Sequence, residues 1–273
     1  MAVFLFVTVL IHSFSGCTPK NADSTQQNEM PAYGVFIGVN PDQIDSFYGY
    51  DIIVIDAAYY DKTDIDTLHQ KEITVYSYLN IGSIESFRDY FVDYQHLILG
   101  EYENWQGEYW MDISDESWQE HINEAAGLLI EKGVDGFFVD NADIYYQYHT
   151  AYIFQGMVSV LNKLGQYRKD IFLNGGDVFV TQAIIEADSP AVYITGVNQE
   201  CVFTDIDFEK EQLVRQTAEN TVYYQQYLEQ CRANGLTVYL LEYSDIGAEP
   251  SEIDEYCNAH QFNYYISASI DLQ

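Results

Sequence analysis

Val134-Asp135-Gly136-Phe137-Phe138-Val139-Asp140-Asn141-Ala142-Asp143-Ile144-Tyr145 is an apolar run that stops abruptly at an Asp-Asn pair. It reads as a buried strand with the Asp140 carboxylate delivered to its C-terminal tip. Just upstream, Trp118, Ile122, Ala125, Ala126, Leu129 and Ile130 are spaced for one helical face. Asp115 and Glu116 open that helix, and Lys132-Gly133 close it. A helix that runs at once into a buried strand is one step of a β/α repeat. Carboxylates also end strands as caps for the next helix, so position alone leaves Asp140 open to a structural and a chemical reading.

Working outward, further segments read as strands over 33–39, 51–57, 73–81, 171–175, 191–197, 237–243 and 263–269. Helices are predicted between them over 151–164 closed by Gly165, over 207–234 closed by Gly235, and over 251–260 opened by Ser251 with Asp254 three residues on. Eight apolar strands alternating with helices over about 240 residues predict an α/β chain forming a single (β/α)8 TIM barrel. A doubly wound open sheet is the alternative. A ninth strand-like piece, Tyr109-Trp110-Met111-Asp112-Ile113, is placed in the long connection after strand 3. The barrel domain is expected to occupy 31–273.

In such a barrel the C-terminal strand ends converge beneath adaptable loops and carry the chemistry. Here those ends hold Asn40, Asp56, Tyr78, Asn80, Asp140, Asn141, Asn174, Asp177, Asn198, Glu200, Glu242 and Tyr243, with no such enrichment at the N-terminal ends. So many polar groups on one rim suit a polar substrate. With 25 Tyr, 15 Phe and 3 Trp, the chain has rings to lie against the apolar faces of sugars, and Trp105, Trp110 and Tyr145 are assigned to a cleft.

Glycoside cleavage needs two carboxyl groups flanking the bond, one protonated and one ionised. Asp140 and Glu200, on strands 4 and 6, are the chosen pair, and strands two apart place their tips near the ~5–5.5 Å of a retaining enzyme. Asp56, Asp112 and Glu242 are rivals whose negative charges would raise the pKa of a proton-holding partner.

The 273 residues carry a formal charge of -32, from 43 acidic and 11 basic side chains. That excess argues against nucleic acid, whose phosphates need concentrated Lys and Arg. It fits either a solvated acidic surface or a field that draws in a cationic ligand. Gly175-Gly176 lacks the spacing and Lys of a phosphate loop. The scattered histidines suggest no Ser-His-Asp arrangement, and no Cys or His pair has ligand spacing, so neither metal nor cofactor is expected.

At the N-terminus, Val3 to Ile11 is an apolar run too short to span a bilayer, leading to Phe14-Ser15-Gly16-Cys17. This resembles a bacterial lipoprotein signal, although no Lys or Arg precedes the run and Phe14 stands where an aliphatic residue is usual. It predicts a leader over 1–16, lipidation of Cys17, and a flexible Thr-, Asn-, Gln- and Ser-rich tether over 17–30. The protein would be exported, lipid-anchored at the cell surface or in the periplasm, or extracellular, touching a membrane only through that anchor. Cys201, Cys231 and Cys257 then remain, either all as free thiols or with Cys231 and Cys257 paired.

The stretches Tyr76-Ser77-Tyr78-Leu79-Asn80-Ile81-Gly82-Ser83-Ile84-Glu85-Ser86-Phe87-Arg88, Glu108-Tyr109-Trp110-Met111-Asp112-Ile113, Asp135 to Tyr145, Asn198-Gln199-Glu200-Cys201 and Leu241-Glu242-Tyr243 resemble, in order, successive signatures of glycoside hydrolase family 114. The resemblance is closest to a bacterial and archaeal branch of extracellular proteins related to endo-α-1,4-polygalactosaminidase. It implies a (β/α)8 barrel cutting α-1,4-linked galactosamine polymers, with Asp140 at the strand-4 catalytic aspartate and Glu200 at the strand-6 catalytic glutamate. It further implies substrate or supporting positions for Asp56, Tyr78, Arg88, Asp112, Asn141, Tyr145 and Tyr243. The strand ends add Asn80, Asn174 and Glu242 to the substrate-binding candidates. The chain departs from the family pattern at strand 1, where Tyr33 to Val39 replaces a Trp-Asp-Trp motif, at Val139 in place of Pro, and at Leu173 in place of Lys. The expected activity is a two-carboxylate hydrolysis with Asp140 as nucleophile and Glu200 as general acid/base, on a polysaccharide such as a cationic galactosaminan. A non-catalytic carbohydrate-binding lipoprotein on the same barrel is the alternative.

Overall fold

In the computed structural model, which describes residues 30–103, 105–185, 192–244 and 250–273, Gly136–Asp140 is a strand hydrogen-bonded in parallel to Thr74–Asn80 on one side and Asp170–Asn174 on the other. The barrel strands are β1 (Tyr33–Val35), β2 (Ile52–Ile55), β3 (Thr74–Asn80), β4 (Gly136–Asp140), β5 (Asp170–Asn174), β6 (Gly196–Glu200), β7 (Thr237–Tyr243) and β8 (Asn263–Ser267). They pair in chain order, and β8 lies against β1, so the sheet curls into a nearly closed (β/α)8 barrel. Around it pack α1 (Lys62–Gln70), α2 (Glu116–Lys132), α3 (Ala151–Gly165), α4 (Asp177–Val180), α5 (Ala218–Ala233) and α6 (Pro250–His260).

The helix read ahead of β4 forms for the reasons its sequence suggests. The Asp115 carboxylate accepts the Ser117 N–H at 2.8 Å, and Gly133, at φ 103°, ends the helix in the left-handed region. Lys132 then reaches across to the carbonyls of Ala57 and Ala58, both at 2.8 Å, tying the end of α2 to the loop after β2.

Alternation along each strand sorts side chains between two apolar layers. Phe137, Val139, Ile171, Leu173, Val238 and Leu240 pack outward with helix residues such as Leu68, Trp118 and Leu161. Tyr33, Val54, Tyr76, Phe138, Phe172, Tyr239, Leu241 and Tyr243 point into the barrel. There the rings of Tyr33, Tyr239, Phe172 and Tyr76 form a continuous layer, with centroids 4.6 Å, 4.6 Å and 4.9 Å apart. Glycine makes room for it: a Cβ on Gly196 would lie 2.5 Å from the Phe172 ring. The lower barrel is therefore a filled core, and the opening lies at the other end.

Several boundaries differ from expectation. The strand expected over 33–39 ends at Val35, and the one expected over 191–197 is Gly196–Glu200, so Asn198 and Glu200 lie within β6. The helix expected from 207 begins only at Ala218, because Thr204–Asp207 and Gln212–Arg215 pair as an antiparallel hairpin and Thr217 caps α5 directly after it. Gly165 is the last helical residue of α3, and its missing Cβ admits the Tyr193 ring. α6 starts at Pro250, which leaves Ser251 inside its first turn. The ninth strand-like piece does lie after β3, as Glu108–Met111, between Ser83–Glu85 and Ile98–Glu101 in a three-stranded antiparallel sheet. Cys201, Cys231 and Cys257 are free thiols. The expected leader, Cys17 and all but the end of the 17–30 tether lie outside the described residues. Among the described residues no helix is long and apolar enough to cross a membrane.

Candidate active site

Two hydrogen bonds from one amide join the tips of β4 and β6. Asn174 Nδ2, on β5 between them, donates to Asp140 Oδ1 at 2.7 Å and to Glu200 Oε1 at 2.6 Å. Those oxygens are thus no farther apart than about 5.3 Å, the sum of the two bonds, which suits the roughly 5–5.5 Å of retaining glycosidases. Alternation explains the convergence. Asp140 stands two residues beyond Phe138, and Asn174 two beyond Phe172, whose rings fill the barrel interior.

The amide has no freedom to turn over. Asn174 Oδ1 accepts from Asn198 Nδ2 at 2.7 Å, and Asn198 Oδ1 accepts from the Tyr33 hydroxyl at 3.1 Å. A one-way chain from β1 through β6 to β5 therefore aims the NH2 of Asn174 at the carboxylates. Each carboxylate is also followed by a left-handed residue, Asn141 at φ 60° and Cys201 at φ 58°. Such backbone ends a strand sharply and is concentrated at functional sites. Gly82 accommodates the first of these bends, since a Cβ there would lie 1.9 Å from the Asn141 carbonyl oxygen.

Electrostatics separates the pair. Burial pushes Glu200 up to about 7, and the charge of Asp140 pushes the same way against hydrogen bonds from Asn174 and Tyr243. The Tyr243 hydroxyl donates to Glu200 Oε2 at 2.8 Å. Burial also raises Asp140, but Asn174, the Asn141 N–H and the Tyr78 hydroxyl all donate to it and hold it down. Both carboxyl groups are thus pushed up, Glu200 to about 7, where it can give up and take back a proton near neutrality.

A cleft of about 560 Å³ opens above the pair. Asp56, Glu85, Glu108, Asp140, Asp143, Glu200, Asp205 and Asp271 line it, with Arg88 as the basic residue. Arg88 Nη2 is 3.3 Å from Asp56 and 3.0 Å from Glu85, so its charge is held against the wall. Glu108 accepts from Ser83, from Asn141 at 2.9 Å and from Asn80 at 3.4 Å. Burial nevertheless pushes it up to about 7. Asp143, which accepts the Gly176 N–H at 3.0 Å, is pushed up by burial to about 6.

Of the candidate residues, Asp56, Tyr78, Arg88, Asp140, Asn141, Asn174, Glu200 and Tyr243 meet in this cleft. Others stand elsewhere. Asp112 accepts from Ser114 N at 3.0 Å and Ser114 Oγ at 2.5 Å, bracing the turn before α2. Tyr145 is buried behind the rim, donating to Gln182 at 2.5 Å and stacked on His149. Trp110 is buried against Tyr102, so only Trp105 of the rings assigned to the cleft reaches it. Asn80 turns to Ser83 and Glu108 and acts behind the wall. Glu242 is fully buried and accepts from the N–H groups of Val202, Phe203 and Thr204 and from the Thr204 hydroxyl, anchoring the turn that follows Glu200.

Glu85, Glu108, Asp143 and Tyr102 also line the cleft without having been expected there from the sequence. The three carboxylates lie inside the quoted signatures but not at barrel-strand tips. Among the described residues, no group of His, Cys, Asp and Glu is placed to hold a metal ion.

The model of glycoside-hydrolase family GH114 matches residues 18–270. Among solved structures, the glycoside hydrolase domain of PelA from Pseudomonas aeruginosa is similar at TM-score 0.73 and 18% identity, over 88% of this chain and 95% of that one. Aspergillus fumigatus Ega3, in complex with galactosamine, is similar at TM-score 0.65 and 19% identity, over 89% and 92%. The α-galactosidase TtGalA from Thermus thermophilus follows at 0.56 and 10%, over 88% and 58%. No curated protein matches the sequence. At these identities the likeness establishes the fold.

Proposed function

The chain belongs to glycoside-hydrolase family GH114, and on that premise we propose that it cleaves α-1,4-linked galactosamine-containing polysaccharide, with Asp140 as nucleophile and Glu200 as general acid/base. The observation that carries this reading is the Asn174 amide bridging the two carboxyl groups at 2.7 and 2.6 Å. In the first step a carboxylate oxygen of Asp140 bonds to the anomeric carbon. The glycosidic C–O bond breaks, and the Glu200 proton passes to the departing oxygen. Glu200, now ionised, then takes a proton from water, whose oxygen displaces Asp140 and frees the sugar. Asn174 accompanies both steps, donating to whichever carboxylate carries charge.

The acidic lining supports a cationic substrate, because an ammonium group there would gain charge-assisted hydrogen bonds. The galactosamine held by the similar Ega3 supports the same sugar class. Incubation with galactosaminan and a panel of other α-linked polysaccharides, with products read by mass, tests the substrate. Cleavage of another polymer alone would overturn it. Glu200→Gln tests the roles: polymer turnover should be lost while a substrate with an activated leaving group still completes the first step. Equal loss on both would remove Glu200 from the proton-donor role.

Export rests on the apolar run Val3 to Ile11 that leads to Phe14-Ser15-Gly16-Cys17. Lipid labelling and membrane fractionation of the full chain and of Cys17→Ser test it, with an unlabelled, soluble wild type as the opposing outcome.

A further inference from the structure

Two arms rise on either side of the catalytic tips and touch above them. One is the three-stranded sheet after β3, whose connection from Ile98–Glu101 to Glu108–Met111 carries Trp105. The other is the hairpin after β6, whose turn carries Phe208. In the barrel β4 and β5 lie between β3 and β6, so the contact spans the region of Asp140 and Asn174. The two rings meet edge to face with centroids 5.9 Å apart, and both line the cleft that holds the catalytic pair. We propose that Trp105 and Phe208 together form an aromatic subsite, one ring from each arm, that seats a sugar unit on its cleft side away from the scissile bond and gives longer oligomers the advantage. The proposal rests on the glycosidase reading and adds a specificity determinant to it.

Exposure distinguishes this pair from packing. Trp110 and Trp118 are 4% and 1% exposed, whereas Trp105 remains 39% exposed despite its contact with Phe208. Tyr102, stacked on the buried Trp110 with centroids 4.0 Å apart, continues the aromatic wall down toward Glu108. The cleft volume of about 560 Å³ is that of a site for a drug-sized ligand, more than the single unit on which Asp140 and Glu200 act. Near the carboxylates the cleft selects by charge. At the arms it offers ring faces, which suit the C–H face of a sugar whatever its amino group carries.

Trp105 also supplies the readout, as the only one of the three tryptophans outside the core. In the Asp140→Asn variant, which prevents turnover, galactosaminan oligomers should change tryptophan emission more strongly, and at lower concentration, as they lengthen. Phe208→Ala should weaken long-oligomer binding about 2–10-fold, the range of one aromatic stacking contact, while Trp105→Phe retains most of the affinity. On the otherwise wild-type background, Phe208→Ala should cost more on long oligomers than in the first-step rate on a monosaccharide with an activated leaving group. Emission indifferent to oligomer length, or equal losses on the monosaccharide and on long oligomers, would overturn the subsite. Failure of the substrate reading looks different: the wild type then cuts another α-linked polymer and not galactosaminan, and oligomers of that polymer decide the subsite by the same length dependence.

Discussion

Neighbouring strands β6 and β7 each carry, at or next to their last residue, a glutamate that burial pushes up to about 7, yet Glu200 faces the cleft and Glu242 does not. Register shows why. Glu200 pairs with Leu241, which points into the barrel, so Glu242 falls one residue on and on the outer face. Its carboxyl group is consumed by the backbone N–H groups of Val202, Phe203 and Thr204. Burial and a raised pKa therefore do not by themselves bring a carboxyl group to the cleft. The face of the strand does, and the inner glutamate depends on the outer one to hold the turn at Cys201.

The sharpest test of that comparison is to neutralise each in turn. Glu200→Gln should lower polymer turnover by about 10²–10⁴-fold, the usual worth of a positioned general acid, and steady-state kinetics would show it. Because that side chain carries a buried charge at alkaline pH, the same change should raise stability there by roughly 1–3 kcal/mol. Glu242→Gln should do the reverse. Its amide NH2 is turned against backbone donors, at about 1–3 kcal/mol for each left unsatisfied, so the denaturation midpoint in urea should fall. A catalytic collapse with Glu242→Gln at unchanged stability would break the comparison.

Asn174→Leu should come next, with turnover down by roughly tenfold from the lost charge-assisted bonds. Since the Asn174 bond lowers the Glu200 pKa, its removal should move the alkaline limb of the pH–rate profile upward. In the wild type that limb should lie near 7, where Glu200 loses its proton, and it should vanish in Glu200→Gln but keep its position in Glu242→Gln.

Stability should follow the same groups. Glu108, Glu200 and Glu242 keep their protons to about 7 when folded, against an ordinary value of 4.5. The native state thus binds more protons across that window. Stability should fall as pH rises from about 4.5 to about 7 and then level off, which thermal melts across the range would check. The smallest effect belongs to Asp112→Ala, which removes only the Ser114 turn bonds. A loss of about 1 kcal/mol with kinetics unchanged is expected, and a large kinetic defect would return Asp112 to the site.

Much of this was legible in the chain. The apolar runs, the caps at Asp115 and Gly133, and the density of polar groups at strand ends are local patterns, and they led to the barrel and to Asp140, Asn174 and Glu200. The placing of Glu242 was not legible, because Val238-Tyr239-Leu240-Leu241 is apolar on both faces and alternation does not say which face is the inner one. The hairpin takes up the 207–215 part of the helix expected over 207–234, because Ile206 and Leu213 are stabilised by long-range packing at the barrel mouth that no short window contains. Glu108 escaped because it reaches the site from an added sheet.

The sequence by itself determined which strands form, which residues can face inward, and that acidic groups crowd one rim. These follow from periodicity and capping, which act between residues close along the chain. Only the tertiary structure decided that one amide joins Asp140 to Glu200, that Tyr33 on the first strand orients it, and that Trp105 meets Phe208 across the cleft. Those contacts form when the sheet curls round and sets distant strands side by side, and hydrogen bonds and ring contacts act only over a few ångströms.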